Sequence, residues 1–170
     1  LFAGLPDHDA VLAQAIAEMP VVTGFVLVPQ ATERQATLRA GFAMAGDDPR
    51  PFLPNYGGAV TSLPILQESA IGNGSLNQVP ESDGLVRRAP LLLAAGEQIY
   101  PSLAIEALRA AIGAKTFIIK ASGASGEKAF GAKTGLSSIK VGQFAIPTDA
   151  NGRIWLHYTA AAPERTLAVW

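Results

Sequence analysis

The chain has 170 residues, is 49% hydrophobic and 16% charged, and carries a net charge of −1. This suits one globular domain with a real core and excludes the basic field that draws in nucleic acid. Cysteine is absent, which excludes disulfides, thiolate zinc sites and cysteine nucleophiles, and no apolar run approaches the roughly 18 residues of a membrane span.

In chain order, residues 9–20 predict a helix. Asp7 or Asp9 can cap it, Val11, Leu12, Ala15, Ile16 and Met19 recur at helical spacing, and Pro20 stops it. Residues 21–28 are β-branched and almost wholly apolar, which predicts a strand buried on both faces. Residues 30–45 have the composition for a helix, and 46–58, with three prolines and three glycines, read as a loop. Residues 62–70 predict a short helix capped by Ser62 with Pro64 in its first turn, followed by a strand over 72–79 entered through glycines. Strands are expected at 85–86 and 90–95 around the arginine pair, then a turn at Gly96-Glu97.

Residues 101–113 give the clearest helix. Leu103, Ala104, Ala107, Leu108 and Ala111 mark its apolar face and Gly113 its end. A strand over 116–120, a Gly/Ser/Ala/Lys loop over 121–135 and a strand over 139–146 follow. A hairpin turn at 149–152 then leads to an alternating strand over 153–159, with Ile154, Leu156 and Tyr158 on one face and Trp155 and His157 on the other. The expected fold is α/β: a mixed central β-sheet flanked by helices, with an antiparallel hairpin toward the C-terminus, in a single domain over 1–170.

Catalytic constellations fail on spacing. Gly126 to Thr134 nearly spells a phosphate loop, but Ala132 separates Gly131 from Lys133 and Gly135 follows where a helix should begin. Asp149-Ala-Asn151-Gly152 has the start of a calcium loop without its closing glutamate. The two histidines, His8 and His157, have no Gly-x-Ser-x-Gly elbow to serve. No metal ligand set and no cofactor is expected, and the domain is read as non-catalytic.

Arg87 and Arg88 stand immediately before the most apolar run. In an alternating strand they point to opposite faces. They either fix the strand by pairing with Glu81, Asp83 or Glu97, or hold a ligand, an anion among the options.

The run Asp83-Gly84-Leu85-Val86-Arg87-Arg88-Ala89-Pro90-Leu91, followed by Tyr100-Pro101-Ser102-Leu103-Ala104, resembles the type 2 CHASE domain, the cyclase- and histidine-kinase-associated sensory extracellular domain. The segment from Ile146 to Ile154 with Tyr158 is similar to the family's closing segment. Asp9, Leu12, Ala13, Ala15 and Ile16 with Val21, Val22 and Gly24 are similar to its helix and strand. The opening strand of the family is missing, so the chain is expected to be an N-terminally incomplete segment of a longer membrane receptor, an expectation that Leu1 and the apolar end at Trp170 share.

The resemblance implies an extracytoplasmic sensory domain, periplasmic or extracellular, of a bacterial transmembrane signalling protein. Its output would be an adenylate or guanylate cyclase, a histidine kinase, a diguanylate cyclase or a serine/threonine kinase, and it would meet the membrane only through helices outside this segment. The candidate ligand contacts are Arg87, Arg88, Tyr100 and Ser102, and the partners expected are an unknown small molecule and a second copy in a homodimer. The alternatives are a soluble α/β nucleotide-binding or hydrolase-like fragment, acting through the Gly126–Thr134 loop or His157, and a purely structural spacer or dimerisation module.

Overall fold

The computed structural model describes residues 6–124, 134–160 and 162. Helix α1 (His8–Ala17) is capped by Asp7, whose carboxylate accepts from the amides of Asp9 and Ala10. It leads to β1 (Val22–Val28), the middle strand of a three-stranded sheet. On one side β1 pairs antiparallel with Gly58–Val60, and on the other parallel with Gly72–Ser75.

The strands between and after them are β2 (Gly41–Ala45), β3 (Asn55–Tyr56), β4 (Gly58–Val60) and β5 (Gly72–Ser75), with a 3-10 turn at Arg50–Phe52 and helix α2 (Pro64–Ser69) interposed. The signature region supplies β6 (Arg88–Pro90), β7 (Leu92–Ala95), β8 (Gln98–Pro101) and helix α3 (Leu103–Ala111). The chain closes with β9 (Thr116–Ala121), β10 (Leu136–Val141), β11 (Phe144–Pro147) and β12 (Arg153–Trp155).

The α/β class holds, with the strands divided among several sheets: β4-β1-β5, β11-β10-β9-β2, β12-β6 and β3-β7-β8. Three of these, β4-β1-β5, β11-β10-β9-β2 and β3-β7-β8, mix parallel and antiparallel pairs, because β5 runs parallel to β1, β2 to β9 and β3 to β7. Antiparallel pairing dominates toward the C-terminus.

β7 explains the apolar run. Leu92 and Ala94 enter one core with Ile99, Ile105, Phe117, Ile119, Ile139 and Val141, while Leu93 enters a second core with Phe25, Leu27, Ala59 and Tyr100. A strand with a core on each face has no position for a polar side chain.

Several expectations are corrected. Residues 30–45 hold no helix; 41–45 form β2, laid parallel to β9, while the Thr32 hydroxyl bonds the backbone of Ala59 across a loop. β1 is covered on one face only: Phe25 and Leu27 are buried and Val26 is 41% exposed. Ser62 does not cap α2; Leu63 holds that position and makes no side-chain bond, although Pro64 opens the helix as expected. Residues 76–79 and 85–86 are not strand, and the run 90–95 is broken at Leu91 into β6 and β7. β8, unforeseen, completes a hairpin with β7 across Gly96-Glu97, where Gly96 has φ +56°.

The C-terminal hairpin turns at Gly142-Gln143, inside the stretch expected to be one strand. The turn at 149–152 exists but sends β12 to β6. His157 is exposed and lies beyond β12. Residues 126–133 of the Gly126–Thr134 loop lie outside the described residues.

The predicted apolar face of α3 is also corrected. Ala104, Ala107 and Ala111 are exposed, and the helix buries Ile105, Glu106 and Arg109. The Arg109 guanidinium grips both Glu106 oxygens at 2.8 Å and donates to the carbonyls of Ala114 (2.7 Å) and Ile71 (2.8 Å). A charged pair can face inward here because each charge is met by its partner and by backbone.

Candidate functional site

The turn at Asp83-Gly84 builds the first part of the site. Gly84 adopts φ +80°, its amide donates to the Glu81 carbonyl, and the Leu85 amide donates to the Asp83 carboxylate at 3.0 Å. Glu81 and Asp83 are thereby presented to the arginines that follow. Arg87 Nη1 reaches Glu81 Oε2 at 3.1 Å and Arg87 Nη2 reaches Asp83 Oδ2 at 2.7 Å; Arg88 Nε reaches Glu81 Oε1 at 3.0 Å.

The expectation that the arginines face opposite ways is corrected. Arg87 precedes β6 and is free of its alternation, so both side chains close on one carboxylate. Glu97 is no partner of theirs; from the β7–β8 turn it pairs with Arg50 of the 3-10 turn.

The second part comes from the turn before β12. The Asp149 carboxylate accepts from the amides of Asn151 and Arg153 and from Arg153 Nε, and Arg88 Nη1 lies 3.4 Å from its Oδ2. β12 pairs Trp155 with Arg88 in register, and the guanidinium carbon sits 5.2 Å from the centre of the Trp155 ring. The Tyr158 hydroxyl donates to the Val86 carbonyl at 2.6 Å. Asp149 and Trp155, 61 and 67 positions beyond Arg88, were not anticipated as its partners, since nothing local in the sequence marks so distant a contact.

Among the described residues this cluster sets Arg87, Arg88 and Arg153 against Glu81, Asp83 and Asp149, so an arriving anion meets no surplus positive charge. The hydrogen bond from Arg88 is the main influence holding the Glu81 carboxyl below its ordinary range, and that from Arg87 does the same for Asp83. Burial works against the Asp149 carboxylate, but bonds from Arg153 and Asn151 outweigh it and hold this group low too.

Carboxylates depressed in the folded state contribute stability above their unfolded values, near pH 4, and lose it as pH falls through the folded ones. Acidification from about pH 7 to about pH 3 is therefore expected to release Arg88 and shift Trp155 emission, and Trp155→Phe to remove the shift. Unchanged emission over that range would show that the ring does not report on the cluster.

Tyr100 and Ser102 lie elsewhere. Ser102 precedes α3 at the base of an apolar groove of about 430 Å³ between β6, β12 and the outward face of α3, lined by Leu76, Leu91, Leu103, Ile154 and Leu156. Its hydroxyl is buried with no hydrogen-bond partner and makes no cap. Tyr100 is 2% exposed and packs edge-on to Phe25, with ring centres 5.4 Å apart. Tyr100 also lines a separate cavity between the β7–β8 turn and β4. The structure thus joins Arg87 to Arg88 and leaves Tyr100 and Ser102 at different cavities.

Among the described residues no group of His, Cys, Asp and Glu is arranged to hold a metal ion, and no helix is long and apolar enough to cross a membrane. In comparison with known proteins, the family model described as "CHASE2 domain" matches residues 1–170. Neither the curated proteins nor the solved structures gave a match.

Proposed function

Since the chain belongs to the CHASE2 domain family, a family of extracellular sensory domains of signalling proteins, we propose that it is the extracytoplasmic ligand-sensing part of a bacterial transmembrane receptor. The output of that receptor is an adenylate or guanylate cyclase, a histidine kinase, a diguanylate cyclase or a serine/threonine kinase. The family match over 1–170 carries this reading. The domain does no chemistry itself. Its ligand shifts the receptor between two arrangements by binding one better than the other, and by no more than that difference in affinity.

Of the four candidate contacts, Tyr100 is assigned to the ligand. Arg87 and Arg88 are assigned to the junction that ties the 81–85 turn, β6 and β12 together, because their charge is already matched. Ser102 is assigned to the packing at the start of α3.

A reporter experiment tests the location. Alkaline phosphatase inserted at the exposed Gly96-Glu97 turn of the parent protein is expected to be active, as it is only outside the cytoplasm. An inactive phosphatase together with an active cytoplasmic reporter at the same position would overturn the reading.

A further inference from the structure

The cavity at Tyr100 has a volume of about 230 Å³, below the ~300–1,000 Å³ of sites for drug-sized molecules. One wall is bare backbone at Gly57 and Gly58. A Cβ on Gly58 would stand 2.5 Å from both the amide nitrogen and the hydroxyl of Thr32, so this wall has no room for a side chain. Tyr100 supplies the floor. Gln35 and Gln98, both exposed, stand at the rim.

Among the described residues, the side chains of Tyr100, Gln35 and Gln98 make no hydrogen bond, whereas Thr32 is committed to Ala59 and Arg34. No cationic side chain lines the space, and its one carboxylate, Glu97, is held by Arg50. Burial raises the phenol further above neutrality, so it stays a donor.

We infer that this cavity binds a small uncharged polyhydroxylated molecule, between glycerol and a monosaccharide in size, through Tyr100, Gln35 and Gln98. Each ligand hydroxyl both donates and accepts, as do two amides and a phenol. An apolar occupant would strip water from three polar groups and return no bond to them. An anion would find Glu97 at the rim and no cation within. The inference rests on the sensory reading above, for which it names the ligand class.

The test is a titration of the chain with glycerol, D-glucose and inorganic phosphate, followed by amide NMR. One of the two polyols is expected to move the resonances of Gly58, Gly96 and Tyr100 saturably at millimolar concentration. Tyr100→Phe, which keeps the ring on Phe25, is expected to weaken that binding about tenfold with thermal stability unchanged or raised. Gln98→Ala, at an exposed position, is expected to weaken it by a smaller factor.

No polyol response, equal binding by Tyr100→Phe, or phosphate moving these resonances in place of the polyols would each overturn the assignment. Output of the parent receptor separates this inference from the sensory reading. A polyol that fills the cavity without changing output leaves the site standing and removes the sensory role. An output that answers to a molecule bound elsewhere does the reverse.

Discussion

Gly74→Ala is expected to destabilise the domain by about 3 kcal/mol or more, at or beyond the top of the usual range for overpacking. β5 and α3 are in backbone contact at this residue. An added methyl would lie 2.5 Å from the Leu103 Cα, 2.8 Å from its nitrogen and 3.0 Å from the Ser102 carbonyl carbon. None of these atoms belongs to a side chain that could turn aside, so the helix itself must lift from the sheet.

Gly24→Ala provides the contrast. Its methyl would meet only the side chain of Leu76, at 2.9–3.2 Å, and Leu76 is 50% exposed and can move. Urea denaturation of both variants checks the argument: the midpoint for Gly74→Ala should fall well below that for Gly24→Ala. Equal midpoints would mean that α3 is not seated on β5 as described.

Arg109→Ala is expected to cost about 3–5 kcal/mol, the range for removing one partner of a buried ion pair. Glu106 has no exposed surface and Arg109 is 5% exposed, so a carboxylate left alone cannot be rescued by water. The carbonyls of Ile71 and Ala114 lose their donor at the same time. The double variant Glu106→Leu with Arg109→Met should recover most of the loss, because replacing both charges by apolar groups of similar volume is often neutral.

Chemical denaturation of the single and double variants reads this directly. A double variant no more stable than Arg109→Ala would show that the carbonyl contacts, and not the orphaned charge, carry the effect. The same pair accounts for Gly72, where a Cβ would run into the Glu106 carboxylate. The glycines that open β5 are thus places where α3 and its buried carboxylate come too close for a side chain.

What could be read without coordinates was local. Asp7 and the spacing after it sufficed for α1, since a cap and a helical period are properties of neighbouring residues. The apolar run 90–95 marked a strand, but neither its break at Leu91 nor the core on each face of β7 was legible. Asp83-Gly84 marked the turn that carries Glu81 and Asp83 to the arginines. Two of the three partners proposed for the arginine pair were found near it in the chain.

The failures share a different cause. The inward face of α3 was misjudged because hydrophobic periodicity cannot foresee a helix that buries a Glu–Arg pair, which becomes acceptable only when Ile71 and Ala114 bring their carbonyls to it. Residues 41–45 became a strand because β9, more than seventy positions later, offered a parallel edge. The same distance hid Asp149 and Trp155 from Arg88, and hid Gln35 from Tyr100. The sequence alone determined the α/β class, the family and the residues of its signature, because those rest on composition and on short spacings. Which charges cancel, which face of a helix is covered and which side chains share a cavity were decided only by tertiary structure, because each depends on contacts between segments whose separation in the chain carries no local signal.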